Sequence, residues 1–113
     1  MTQVFRRAWE DMVLPIFKRP RRVQVAALCY RDTEAGKKVL LITSRDTGRW
    51  ILPKGWPMKG KSDGDAAMIE AWEEGGVKKG KVSRKPMGKY LATKTMKSGD
   101  EEVAETRVYA VKV

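Results

Sequence analysis

Leu52-Pro53-Lys54-Gly55 opens the informative stretch of this chain, and Glu70-Ala71-Trp72-Glu73-Glu74-Gly75-Gly76-Val77 closes it. Between them, residues 54–64 hold three glycines and a proline, a composition that predicts a loop. Ser62 or Asp63 suits a helix cap, so a helix is predicted from about Gly64 to Glu74, ended by Gly75-Gly76. Each helical residue advances by about 100°. Glu70, Glu73 and Glu74 therefore share one face, while Met68, Ala71 and Trp72 are expected to point away and pack on a sheet. Carboxylates crowded on one face repel one another. A hard divalent cation with oxygen ligands would offset that repulsion. The glycine-rich loop just ahead can bring backbone groups to a phosphate or present a carbonyl to a metal. The plain alternative is a solvated acidic helix face. Against it, this acidic face is an exception in a strongly basic chain.

Outward from this stretch, Arg22 to Tyr30 reads as a strand and Arg31 to Lys37 as a polar turn. Lys38 to Ser44 reads as a second strand, forming a hairpin with the first. Asp46-Thr47-Gly48 turns the chain, and Trp50-Ile51-Leu52 is a short strand that Pro53 ends. Val77 to Lys81 is a basic connection. Lys89 to Thr95 and Val103 to Val113 are two further expected strands, joined by a turn over Lys97 to Asp100. Residues 1–20 form an N-terminal arm. Phe5, Trp9, Met12 and Val13 recur there at helical spacing until Pro15 and Pro20 intervene, which predicts a short amphipathic helix ending near Leu14. That helix is expected to pack on the domain or on a second subunit.

The chain has 113 residues, enough for one domain with one modest core. No run of about 18 apolar residues is present, so no membrane-spanning helix is expected. The first residues lack the apolar stretch of a signal peptide, and a cytoplasmic location is the expectation. One cysteine, Cys29, and no histidine exclude an internal disulfide, a Cys/His zinc site and histidine general bases. Cys29 lies in an apolar run and is expected to be a buried thiol. Any metal must then be held mainly by oxygen, which favours magnesium, manganese or calcium. The net charge of +10 attracts anions such as nucleic acid, phosphates or acidic lipid.

Taken together, these residues resemble the Nudix hydrolase family. Its signature is G-x5-E-x7-R-E-U-x-E-E-x-G-U, with U a bulky apolar residue. Starting at Gly55, the chain matches at Glu70, Glu73, Glu74, Gly76 and Val77 without insertion, and Ala71 is a small occupant of the first apolar position. Arg49 to Gly55 is similar to the family's approach to the motif. The resemblance covers roughly residues 21–113. Two positions depart: the family's first glutamate falls at Lys61 and its arginine at Ile69. In relatives that arginine orients a helix glutamate, so its loss is expected to leave Glu73 less well placed. The resemblance implies an α/β (α+β) fold, an α/β/α sandwich with a mixed β-sheet and the signature loop-helix-loop. Relatives carry a helix after the final strand. The sequence runs to Val113. The domain is therefore expected to lack that helix, exposing sheet surface and favouring a homodimer or low stability.

By the same resemblance, Glu70, Glu73 and Glu74 would hold Mg2+ or Mn2+ and carry the catalysis, with Gly55 and the backbone carbonyl of Lys54 beside the metal. A carboxylate must act as base. It lies on the signature helix in some relatives and on a distal loop in others, and Glu101, Glu102 and Glu105 lie where that loop would be. Arg45, Lys54, Arg21 and Arg22 are the expected phosphate-binding residues. The branch most similar in appearance is that of the diphosphoinositol polyphosphate and diadenosine polyphosphate phosphohydrolases. Arg21-Arg22, Thr43-Ser44-Arg45, Arg49-Trp50-Ile51, Gly76 to Lys81 and Gly88-Lys89-Tyr90 carry that likeness. The acidic run from Asp100 to Glu105 departs from the branch, which is basic there. The expected partner is a phosphorylated small molecule cleaved at a phosphoanhydride bond. The alternative is a catalytically impaired module that binds RNA or polyphosphate. RNA 5′-end pyrophosphohydrolysis would reconcile charge and motif.

Overall fold

The computed structural model describes residues 22–95 and 97–113. The arm expected over residues 1–20 and the phosphate-binding role expected of Arg21 lie outside the described residues. The elements run β1 (Arg22–Thr33), β2 (Gly36–Val39), β3 (Ile42–Thr43), β4 (Trp50–Ile51), β5 (Lys54–Gly55), α1 (Asp63–Gly75), β6 (Lys81–Val82), β7 (Gly88–Thr95) and β8 (Glu101–Lys112).

β1 and β8, each with a largely buried middle, lie at the centre of a six-stranded mixed sheet. They pair in parallel from Arg22 opposite Ala104 to Tyr30 opposite Lys112. β2 and β5 lie along the free side of β1, both antiparallel. β7 and β6 lie along the free side of β8, again antiparallel. β3 and β4 make a separate two-stranded sheet. The expected α+β class with a mixed sheet is the one that forms.

α1 covers one face of the sheet. Val25, Ala27 and Cys29 of β1 and Tyr109 and Val111 of β8 meet Ala66, Ala67 and Ala71 there, with Leu40, Met58, Met68, Val77 and Val82 packed around them. Cys29 is buried, as its apolar run predicts, and burial pushes its thiol pKa up.

The structure corrects four sequence expectations. Trp72 points outward and is 58% exposed instead of packing on the sheet. The buried stripe of α1 is Gly64, Ala66, Ala67, Glu70 and Ala71. Trp72 follows Ala71 by one residue, so a turn of about 100° carries it off this stripe toward solvent. The strand expected over residues 38–44 is two strands. Leu40 N–H still donates to Cys29 C=O at 2.9 Å, and the chain then leaves to pair with β4. That hairpin closes through Ser44 N–H to Arg49 C=O and Gly48 N–H to Ser44 C=O, both 2.8 Å, with Gly48 at φ +70°. The expected loop from Lys54 contributes β5, and the basic connection before Lys81 runs into β6. Two-residue strands carry too little alternation to read.

Candidate metal and phosphate site

The caps of α1 fix where its glutamates stand. Ser62 Oγ accepts from Asp65 N–H at 3.1 Å, which satisfies a first-turn donor. At the other end Gly76 takes the left-handed conformation, φ +71°, and donates to Trp72 C=O at 3.0 Å. Asp63 and Asp65 complement the positive end of the helix dipole. Glu73 and Glu74 occupy the last turn, which holds no basic residue. Anionic side chains there oppose the dipole, at about 0.3–1 kcal/mol each. This end of the helix is therefore short of positive charge.

The loop meets the helix at the same place. Ala27 N–H donates to Pro53 C=O at 2.9 Å, and β5 then joins β1 through Val25–Gly55 and Ala26–Lys54. Lys54 N–H donates to Glu74 Oε1 at 2.8 Å. Gly55 lies directly against Glu70. A Cβ at Gly55 would sit 2.2 Å from Glu70 Oε2, closer than any two such atoms approach. Glycine is required here for close approach, and the carboxylate fills the space a side chain would take.

Glu70 is only 9% exposed. Burial pushes its pKa up, and the neighbouring Glu74 and Glu73 push it further the same way. No ion-pair partner holds Glu70 among the described residues. A cavity of about 380 Å³ opens beside it, lined by Glu70, Glu74, Lys54 and Gly55 together with Gln24, Ile51 and Trp56.

The structure thus brings together Glu70, Glu74, Lys54 and Gly55 as expected. Glu73 is exposed and outside the cavity lining, although near enough to act on Glu70. Among the described residues no three acidic, histidine or cysteine side chains form a ready-made metal nest. The oxygen donors at the cavity, two carboxylates beside a glycine bend, suit a hard divalent cation. Glu73 stands at its margin.

The other expected residues fall elsewhere. Arg45 is exposed in the turn after β3 and does not line the cavity. Arg22 pairs with Glu102, and its guanidinium lies 5.5 Å from the Trp56 ring centre, so it stands at the rim, already engaged. Glu101, Glu102 and Glu105 are not on a loop: all three belong to β8, paired with β7. Pairing with β7, from Thr95 opposite Glu101 to Leu91 opposite Glu105, extends the strand through the acidic run. Glu105 is buried and accepts from Arg107 Nε at 2.8 Å, with Lys89 Nζ 3.9 Å away. Lys61 and Ile69, the two departures, share a different cavity with Met68, Trp72 and Lys78 on the outer side of α1.

Sequence reasoning missed Gln24, Ile51 and Trp56. Gln24 carried a signal: it is the one polar side chain between Val23 and Tyr30.

Comparison with known proteins gives the following likenesses. The family model described as NUDIX domain matches residues 20–112. Diphosphoinositol polyphosphate phosphohydrolase 3-alpha of Homo sapiens is 39% identical over 61 residues, 54% of this chain and 37% of that protein. Diphosphoinositol polyphosphate phosphohydrolase 2 of Mus musculus is 38% identical over 61 residues, 54% of this chain and 34% of that protein. The chain spans little more than a third of the length of these curated relatives. Among solved structures, the Ap4A hydrolase of C. elegans superposes with a TM-score of 0.59 at 18% identity, covering 83% of this chain and 70% of that one. The NUDIX domain of Shewanella oneidensis NrtR, solved in complex with ADP ribose, gives 0.61 at 17% identity, covering 84% and 62%. At such identities the structures share a fold.

Proposed function

This chain belongs to the Nudix family, and from that premise we propose that it hydrolyses a phosphoanhydride bond in a phosphorylated small molecule with the help of Mg2+ or Mn2+. The observation that carries this reading is Glu70: buried, pressed on Gly55, beside two more carboxylates, with no cationic partner among the described residues. A fold does not keep such a group without a use or a compensating cation.

Glu70 and Glu74 would hold the ion, with Glu73 joining them and the Lys54–Gly55 main chain alongside. When bound, the ion supplies Lewis acidity at phosphoryl oxygens and a water of lowered pKa. Lys54, on the cavity wall, offsets phosphate charge. Its backbone N–H, tied to Glu74, keeps loop and helix in register. Trp56 and Ile51 supply apolar surface to the cavity lining. The proton of the attacking water goes to a helix carboxylate. Glu102 and Glu105 are held by Arg22 and Arg107, which removes them from that role.

The relatives' names offer diphosphoinositol polyphosphates and Ap4A as substrate classes, and NrtR binds ADP ribose. Phosphate release should be followed with a panel of dinucleoside polyphosphates, sugar nucleotides and diphosphoinositides, with Mg2+ or Mn2+. Turnover of at least one, lost with chelator, is expected. No release from any member would overturn the hydrolase reading.

A second reading has support in Lys61 and Ile69, in the missing ready-made nest and in the charge of +10. It is a Nudix-fold module that binds RNA or polyphosphate without cleaving it. Salt-sensitive binding with no metal-dependent release would favour it.

A further inference from the structure

The cavity beside Glu70 is unequal in its chemistry. Glu70, Glu74 and Lys54 bring charge to its lining, and Gln24 is the uncharged polar side chain among them. Gln24 is 4% exposed, and what remains open of it faces this cavity. No described residue accepts from its carboxamide or donates to it. Its neighbour on β8 is Thr106, which is 1% exposed and whose Oγ1 also has no hydrogen-bond partner among the described residues. Strand register adds Tyr90 of β7 directly opposite Thr106. Gln24, Thr106 and Tyr90 therefore form one uncharged polar row across β1, β8 and β7, on the face turned away from the Val25–Ala27–Cys29 core.

The Gln24 carboxamide, unpartnered among the described residues and open only to the cavity, is free to bond a ligand that enters there. Its donor and acceptor stand side by side, a pattern that matches the edge of a nucleobase. It does not match a phosphate, which offers acceptors alone. The cavity lining also holds one lysine against two carboxylates. A diphosphoinositol polyphosphate would bring phosphates to every wall, and this wall has too few cations to meet them.

We propose that Gln24 is the specificity-determining residue of this site, hydrogen-bonding the base of a nucleoside whose polyphosphate chain runs toward Lys54 and the helix carboxylates. This rests on the hydrolase reading for the location of the phosphates. Gln24 does no chemistry; it decides which molecule is aligned for it.

Equilibrium binding tests this without turnover. The probes are a methylene-bridged diadenosine tetraphosphate, a methylene-bridged diphosphoinositol polyphosphate and inorganic tripolyphosphate, each titrated with Mg2+ by calorimetry. The wild type should bind the dinucleotide probe roughly tenfold or more tightly than the inositol probe. Gln24→Leu should lose about tenfold or more for the dinucleotide and hold its tripolyphosphate affinity. Gln24→Arg should shift preference toward the inositol probe. Thermal melting establishes that each variant is folded, and Gln24→Glu serves if the leucine variant is not. Equal dinucleotide affinity in folded Gln24 variants and wild type would overturn the proposal, as would a wild-type preference for the inositol probe. Absent turnover with the binding pattern intact would instead sink the hydrolase reading alone.

Discussion

Two acidic regions of this molecule contrast sharply. At the end of α1, Glu70 and Glu74 line one cavity with Glu73 exposed nearby, and no ion pair relieves Glu70 among the described residues. Along β8, each buried or half-exposed carboxylate has its cation. Arg22 meets Glu102, and Arg107 meets both Glu105 at 2.8 Å and Asp63 at 3.5 Å. Glu105 in turn keeps the Arg107 guanidinium pKa above its ordinary value. The same residue type thus does two jobs. Where charges are matched inside the protein, carboxylates fasten a strand to its neighbours. Where they are left unmatched, they are available to something from outside.

This contrast can be broken by mutation. The largest effect is expected from Glu70→Gln or Glu74→Gln, which should lower turnover by roughly two to three orders of magnitude. The metal-free melting temperature should hold or rise, because a like-charge repulsion is removed. A clear fall in melting temperature would show that these glutamates are structural after all. Next comes Gly55→Ala, which forces Glu70 from its place and should cost about one to two orders of magnitude in turnover. A crystal structure of the alanine variant with Glu70 unmoved would refute the close-approach argument.

The opposite pattern is expected on β8. Arg107→Leu leaves Glu105 with weaker pairing and should destabilise the fold by about 1–2 kcal/mol in denaturant titration, with turnover within a factor of about two. Adding Mn2+ sharpens the same comparison. It should raise the melting temperature of the wild type and of Arg107→Leu by similar amounts, and leave that of Glu70→Gln unmoved. An equal rise in all three would place the ion elsewhere. Smallest of all, Trp72→Ala should change stability by less than about 0.5 kcal/mol, given its exposed indole.

How far the sequence foretold this molecule depends on which physical cue each element carries. The helix was legible because Ser62 and Gly76 cap it and its acidic spacing is regular. The central strands were legible from their apolar runs. Trp72 was misread because size and hydropathy suggest burial, whereas the buried stripe of α1 runs through Gly64, Ala66, Ala67, Glu70 and Ala71 and leaves it outside. Glu101, Glu102 and Glu105 were misread as a distal loop because their charge reads as exposed, and Arg22, the partner of Glu102, is distant in sequence. The gathering of Glu70 and Glu74 beside Lys54 and Gly55 was legible from the motif. Gln24 and Trp56 were not, because only the pairing of β5 with β1 brings them to the cavity.

The parallel pairing of β1 with β8 carries one more consequence. Nearly the whole described chain separates these two partners, yet they form the middle of the sheet. On the ribosome, β1 emerges early and must wait, its apolar residues uncovered, until β8 has been made. Closing so long a loop is entropically slow, so folding should be gradual and the nascent chain vulnerable to aggregation while it waits.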